Sequence, residues 1–279
     1  MVIDSHCHIF PPSFQRRHAE LSARDVTFAT LFPTSRSRMA TADALIDAMD
    51  EAGVSLAVAM GMGWTDRLLA QEANDYIIES VGQYPSRLSG FCSVNPAWGD
   101  AAVAELDRCA GAGLRGVGEL HPDTQGFDIG DGSVLAPVMD EARRLGLPVL
   151  VHASEPVGHP YPGKGRTTPE RLYPFLVRFP DNKIICAHWG GGLPFYSLMP
   201  EVAAATRNLY FDTAASPFLY RREVFAAVVS LVGADKVLFG TDFPLLRHRR
   251  LLRQVEQASL NAEAREAILG VNAARLLGL

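Results

Sequence analysis

Eight short apolar runs recur along this chain, each followed by a segment with helical spacing. That alternation restricts the fold more than any other feature. The runs cover residues 3–9, 55–60, 88–94, 114–120, 147–152, 183–188, 209–213 and 236–240. Runs this short and this continuous predict strands buried on both faces, the mark of a parallel sheet covered by helices. The spacing between them predicts helices near 41–52, 66–82, 100–111, 134–145, 221–231, 248–259 and 261–277. Gly53, Gly82, Gly111 and Gly146 stand where helices should stop. Pro200 should kink or divide a helix across 195–206. Residues 10–40, with Pro11, Pro12 and Pro33, read as an irregular stretch at the mouth of an active site. No polar linker breaks the 279 residues, of which 48% are hydrophobic, so one domain over 1–279 is expected. Eight strand–helix units favour a closed α/β (β/α)8 TIM barrel over an open doubly wound sheet. No GxGxxG follows the first strand, which argues against a dinucleotide-binding fold.

Parallel barrel strands all end at one mouth. His6 and His8, Glu119, His152, His188 and Asp242 fall at the predicted ends of strands one, four, five, six and eight. Side chains alternate along a strand, so His6 and His8 share a face while Cys7 turns to the core. Imidazole nitrogens and carboxylate oxygens suit Zn²⁺, Mn²⁺ or Fe²⁺. His6, His8 and His152 can supply three nitrogens, with Asp242 completing the shell and leaving room for water. A metal lowers the pKa of its water from about 16 toward roughly 7. Asp242 is then placed to take that proton. His188 is expected to donate to a substrate oxygen or to join a second ion. Glu119 lies inside an apolar strand and needs a partner, either a metal or a cation such as Arg115. Asp4 should point the same way as His6 and either orient a ligand or cap the strand bottom. His121, before Pro122, reads as loop.

The long loop 153–168 follows His152 and is rich in Pro and Gly. It is expected to cover the site, with His159, Tyr161, Lys164 and Arg166 as substrate-binding residues and Lys164 or Arg166 meeting an anionic group. Trp189, directly after His188, can pack against a planar substrate or in the core. The net charge of −5 favours neither nucleic acid nor an anionic membrane as partner. No apolar run approaches the roughly 20 residues that cross a bilayer. Cys7, Cys92, Cys109 and Cys186 show no CxxC spacing, so reduced thiols in a cytoplasmic protein acting on a small molecule are expected.

The stretches Asp4-Ser5-His6-Cys7-His8, Val151-His152, Ala187-His188-Trp189-Gly190-Gly191 and Phe239-Gly240-Thr241-Asp242-Phe243-Pro244 occur in this order. Together with the closing Val271-Asn272-Ala273-Ala274-Arg275-Leu276-Leu277, they resemble the amidohydrolase superfamily. Within it they are most similar to the amidohydrolase-related branch that includes aminocarboxymuconate-semialdehyde decarboxylase. The resemblance spans nearly the whole chain. It implies a (β/α)8 barrel, a homodimer, and a divalent metal, usually zinc, on His6, His8, His152 and Asp242. It also implies that His188 is catalytic or a ligand of a second metal. Many binuclear members carry a carboxylated Lys at the end of strand four, and TatD-like hydrolases carry a Glu there. Glu119 resembles that bridging carboxylate, whereas decarboxylase-like members are usually mononuclear, so one or two ions remain open. The activity expected first is hydrolysis, with metal-activated water attacking an ester, lactone or amide carbonyl of a small, anionic substrate. The second reading is a metal-dependent non-oxidative decarboxylase of an unsaturated or aromatic acid. The third is a metal-binding barrel without activity.

Overall fold

In the computed structural model, which describes residues 1–279, every apolar run contains a strand. The strands are β1 (Ile3–His8), β2 (Leu56–Met60), β3 (Leu88–Gly90), β4 (Val117–Leu120), β5 (Val149–Val151), β6 (Ile184–Cys186), β7 (Leu209–Asp212) and β8 (Val237–Leu238). All neighbouring pairs are parallel. They fall into two arcs, β1 to β3 and β4 to β8. Bridges between Cys7 and Phe243 and between Cys92 and Val117 join the arcs on both sides. Ser5 N donates to Phe239 O at 2.8 Å and Cys92 N to Gly116 O at 2.8 Å across those seams. The ring is therefore closed, and the fold is a (β/α)8 barrel in one domain.

Alternation along the strands sorts the core. Val58, Met60, Leu150, Ile185 and Leu238 pack with Phe91 and with Ala273, Leu276 and Leu277 of the last helix. Their neighbours Ala57, Ala59, Val149, Val151, Ile184 and Cys186 belong instead to the large layer shared with the helices. His152 is two residues on from Leu150, so it follows Leu150 to the inner face. The cysteines are all free and buried.

The helices end where the glycines require. Thr41 Oγ1 accepts from Ala44 N at 3.3 Å at the start of Ala42–Ala52, and Gly53 leaves that helix at φ 71°. Pro200 divides its segment into a 3₁₀ turn, Leu193–Tyr196, and a short helix, Pro200–Ala205. Residues 10–40 are less irregular than their prolines suggest. They hold helices Pro12–Arg16, His18–Arg24 and Val26–Leu31, each too short to show a period. Phe10, Phe14, Leu21 and Phe28 of this segment pack on Met62, Trp64 and Leu69. No helix is long and apolar enough to cross a membrane.

Asp25 fastens this segment to the loop after β2. One carboxylate oxygen caps Val26–Leu31 by accepting from Phe28 N at 2.8 Å. The other accepts from Thr65 N, Thr65 Oγ1 and Asp66 N at 2.7, 3.0 and 2.8 Å. Removing a buried carboxylate that serves four donors leaves those donors unsatisfied. Asp25→Ala is expected to cost about 3 kcal/mol, a lost cap plus stranded buried donors, read as a lowered denaturant midpoint.

Candidate metal centre and substrate cavity

His6 and His8 leave β1 on one face, and each is oriented from behind. His6 Nδ1 lies 2.8 Å from Asp212 Oδ2, and His8 Nδ1 lies 2.6 Å from the Gly61 carbonyl. Both partners only accept, so each ring carries a proton on Nδ1 and turns Nε2 toward the site, where it can take either a proton or a metal ion. The two Nε2 atoms face each other at 3.0 Å. Two lone pairs at that distance repel unless a cation sits with them. Carboxylates close in around the pair. Asp242 Oδ1 is 3.2 Å from His8 Nε2 and 3.9 Å from His6 Nε2. Glu119 Oε2 is 3.7 and 3.8 Å from the same atoms. The donor chemistry fits a divalent ion, with nitrogen and oxygen ligands of the borderline type.

Glu119 also faces the other way. Its Oε1 is 3.0 Å from His152 Nδ1 and 3.8 Å from His188 Nε2. The ligand-bearing residues thus form two groups that share Glu119: His6, His8 and Glu119, then Glu119, His152 and His188. Of the expected shell, His6, His8 and Asp242 lie together, while His152 lies beside His188 on the other oxygen of Glu119. Glu119 does not pair with Arg115, whose guanidinium bonds the Leu277 carbonyl instead.

Backbone shape aims the remaining groups. His188 and Trp189 take φ 56° and 58°, and Gly190, Gly191 and Gly192 continue in positive φ. A Cβ at Gly191 would overlap the Ser154 carbonyl. His188 N and Ala214 N both donate to Asp212 Oδ1, at 2.9 and 3.0 Å. His188 Nδ1 bonds the Ala214 carbonyl at 3.1 Å, which leaves Nε2 toward Glu119. Asp242 itself sits at φ 66°. Asp4 holds the flanking turn, accepting from His6 N and Thr241 N at 3.1 and 3.0 Å and from Thr241 Oγ1 at 2.5 Å. It also meets His248 Nε2 at 3.1 Å, so it joins β1 to the Asp242 turn rather than capping the strand bottom.

Charge follows from this crowding. Burial pulls the His6 pKa down, but Asp212, Glu119 and Asp242 outweigh it and raise it to about 10. His188 behaves alike, burial being overcome by Glu119 and Asp242, and rises to about 9. Burial works against the charged form of Glu119, yet His152, His188 and His6 hold its pKa well below the usual range. Asp242 is lowered against burial by His8, His6 and His188. Burial, reinforced by His152, pushes His121 down to about 3.

A cavity of about 620 Å³ opens over this cluster. His8, Glu119, His152, His188 and Asp242 lie along it, and Phe10, Leu31, Phe32, Met62, Phe218 and Leu245 give it apolar walls. Loop 153–168 contributes His159, Tyr161 and Pro162, as expected of a cover. Three of the expected substrate-binding residues do not line it. Lys164 turns back on its own loop, donating to the Val157 and His159 carbonyls at 2.8 and 3.2 Å. Arg166 is 81% exposed and paired with Asp123. Trp189 is fully buried, bonded to Ser216 Oγ at 3.0 Å and packed edge-on against Phe225, which makes it core.

Three residues of the site escape the sequence reading. Arg38, from the 10–40 segment, lines the cavity. His121 is a buried part of the wall, stacked on His152 with ring centroids 4.0 Å apart. Asp212 orients both His6 and His188. Asp212 and His121 have a signal in the sequence, as ionisable residues at the ends of predicted strands, but His121 reads as loop there; Arg38 has none.

The family model described as "Amidohydrolase" matches residues 3–279. A 2-amino-3-carboxymuconate-6-semialdehyde decarboxylase from Dictyostelium discoideum is 28% identical over 249 residues, 76% of this chain and 67% of that protein. A gamma-resorcylate decarboxylase from a Polaromonas species is 24% identical over 255 residues, 75% of this chain and 76% of that protein. The crystal structure of a dihydroxybenzoic acid decarboxylase from Polaromonas, with bound manganese and the inhibitor 2-nitroresorcinol, superposes with a TM-score of 0.76. It shares 19% identity and covers 100% of this chain and 97% of that one. These comparisons overturn the expectation of a hydrolase, because the curated relatives are decarboxylases. The physical reason is plain. The same histidines and aspartate can serve attack on a carbonyl or loss of a carboxylate, and ligand type alone does not separate them.

Proposed function

The chain belongs to the amidohydrolase family, and on that premise we propose that it is a metal-dependent non-oxidative decarboxylase of an aromatic or unsaturated carboxylic acid. One observation carries the reading. A carboxyl group, Asp242, stands between an apolar-walled cavity and a nest of imidazoles. Breaking a carbon–carboxylate bond without an oxidant needs a proton delivered to that carbon and a flat, water-poor site for the acid. Asp242 and the apolar side chains of the cavity are the groups that would serve these two needs.

His6, His8, Asp242 and Glu119 would hold a divalent ion, zinc, manganese or iron(II), with His152 and His188 on the other oxygen of Glu119. Such an ion, when bound, supplies a fixed positive charge for the oxygens of the acid. The protein groups do the rest. The phenylalanine walls hold the ring and exclude water. The incoming carboxylate beside Asp242 makes a like-charge pair, which raises the proton affinity of Asp242 against its histidines. Asp242 gives its proton to the carbon that bears the carboxylate, forming a C–H bond. The C–C bond then breaks, its electron pair restores the π system, and CO₂ leaves. Asp242 regains a proton from water. His188, whose Nδ1 is held by the Ala214 carbonyl so that Nε2 faces the site, donates to a substrate oxygen as charge gathers there.

Arg38 is the arginine among the lining residues; it is exposed and makes no hydrogen bond or ion pair in the fold that would compete with an acid. Arg38→Ala is expected to raise KM about 10- to 100-fold with kcat within a few-fold, the loss of one charge-assisted contact of roughly 1.5–3 kcal/mol. Steady-state kinetics on the accepted acid checks it. The reading as a whole is tested by incubating the metal-loaded protein with aromatic acids in D₂O. CO₂ release with one deuterium at the vacated carbon supports it. No CO₂ from a panel of hydroxybenzoates and unsaturated diacids would overturn it.

A further inference from the structure

His248 is a buried imidazole that belongs neither to the metal cluster nor to the cavity wall. It opens the helix His248–Glu256 and heads that helix's inward stripe, His248, Leu251 and Val255. The outer shell fixes this end of the helix. Arg247 pairs with Glu51 at 3.3 Å, and Arg249 Nε donates to the Glu51 carbonyl at 2.8 Å. His248 lies between these two anchors in sequence and is itself turned inward.

There its ring meets both flanks of Asp242. On one side Nε2 lies 3.1 Å from Asp4 Oδ2. This is an electrostatic contact and not an aligned hydrogen bond, and Nδ1 has no partner either. Asp4 accepts from Thr241 N and Thr241 Oγ1, and Thr241 Oγ1 accepts in turn from Phe243 N at 3.1 Å. On the other side the ring stacks on Phe243, with centroids 5.4 Å apart and planes 25° from parallel. One side chain thus supports the residue before Asp242, through Asp4, and the residue after it, directly.

Asp242 needs that support. It is not a glycine, yet it sits at φ 66°. An L-residue is strained there, and such a conformation persists only where its surroundings over-determine it. Backbone bonds tie the turn to β1, from Asp242 N to the His6 carbonyl at 2.9 Å and from His8 N to the Phe243 carbonyl at 2.6 Å. Both run to the same strand. His248 props the turn from the helix behind it. The atoms of Asp4, Cys7 and His248 also lie within 4.8 Å of one another, as ligands of an ion would. An ion does not suit this cluster, because Asp4 already serves three donors and all three residues are shut from solvent.

We infer that His248 is a positioning residue for Asp242, bracing Thr241 through Asp4 and Phe243 through its ring face so that the Asp242 carboxyl stays turned to His8 and the cavity. The inference rests on the decarboxylase reading for what Asp242 does, and on the fold alone for where Asp242 points. His248 touches neither ion nor acid. It reaches the reaction only through the placement of that carboxyl, to which catalysis is sensitive on the scale of about 1 Å.

Two variants test this. His248→Phe keeps a ring against Phe243 and loses the nitrogen at Asp4. His248→Gln keeps a side-chain N–H for Asp4. Crystal structures of the metal-free wild type and both variants read the placement of Asp242. In His248→Phe the carboxyl is expected to shift by about 1 Å from its 3.2 Å approach to His8 Nε2, and in His248→Gln to stay. On the manganese-loaded full chain, His248→Phe is expected to lower kcat about 10- to 100-fold with KM nearly unchanged, and His248→Gln to recover most of the loss. A folded His248→Phe with Asp242 unmoved, or with kcat within about twofold of wild type, overturns the inference. So does a fall in kcat that His248→Gln shares in full. Should His248→Phe not fold, Thr241→Val, which cuts the link between Asp4 and Phe243, carries the same expectation and the same overturning results. A wild type that releases no CO₂ from any acid defeats the decarboxylase reading, while the structures still decide whether His248 holds Asp242.

Discussion

Asp242→Asn is expected to lower kcat on the decarboxylated acid by about 10²- to 10⁴-fold, the range for loss of a positioned general acid. The substitution is chosen for the backbone. Asp242 sits at φ 66°, and asparagine tolerates that left-handed region where alanine is strained. Asparagine also keeps an oxygen where Asp242 Oδ1 lies 3.2 Å from His8 Nε2, so a ligand atom remains on that side of the site. The change therefore removes the transferable proton and one negative charge, and little else. KM should move less than tenfold, since Arg38 and the phenylalanine walls hold the acid independently of Asp242. The variant should retain its ion when loaded with excess metal, because His6, His8 and Glu119 remain. Kinetics, elemental analysis and the loss of deuterium incorporation from D₂O read the three effects separately. A variant that keeps its ion and retains more than a tenth of wild-type kcat would show that the proton comes from elsewhere, and His188 would be the next residue to change.

The parts of the molecule legible in the sequence are those governed by local rules. Eight continuous apolar runs specify eight strands, and ionisable residues at their ends specify a polar mouth. His6, His8, Glu119, His152, His188 and Asp242 are therefore readable without coordinates. What is not readable is pairing over distance. Asp212 ends β7 and obeys the same rule, but its part in the site depends on His6, 206 residues away in sequence. Lys164 and Arg166 carry the charge that an anionic substrate wants, yet charge does not say where a side chain finds its partner. Lys164 finds carbonyls in its own loop and Arg166 finds Asp123. The cation that reaches the cavity, Arg38, comes from a segment whose helices of five to seven residues leave no periodic trace. The reaction class was hidden for a different reason. Hydrolysis and decarboxylation can use the same donors, so ligand type alone does not tell them apart.

Removing the divalent ion should abolish turnover and also weaken the fold. The argument starts from the 3.0 Å approach of His6 Nε2 to His8 Nε2, with Glu119 and Asp242 held beside them. In the folded chain this arrangement is fixed by Asp212, Gly61 and Asp4, so the ligands cannot relax apart when the charge between them is withdrawn. The unfolded chain scatters the same groups and binds the ion weakly. An ion at 1,000 times its Kd therefore stabilises the native state by about 4 kcal/mol. For a domain of this size that corresponds to a Tm roughly 8 °C higher, at about 2 °C per kcal/mol. Dialysis against a chelator should lower Tm by that order and turnover by more than about 10³-fold, with both restored on adding Mn²⁺ or Zn²⁺. Elemental analysis of the restored protein then distinguishes the two groups that share Glu119. One equivalent assigns the ion to His6, His8 and Asp242, and Glu119→Gln should weaken its binding by about 10- to 100-fold, the usual consequence of disturbing a metal's supporting carboxylate. Two equivalents, both lost together in Glu119→Gln, make Glu119 a bridge between ions. A chelated protein with unchanged Tm and unchanged turnover would remove the metal, and with it the decarboxylation chemistry built around these histidines.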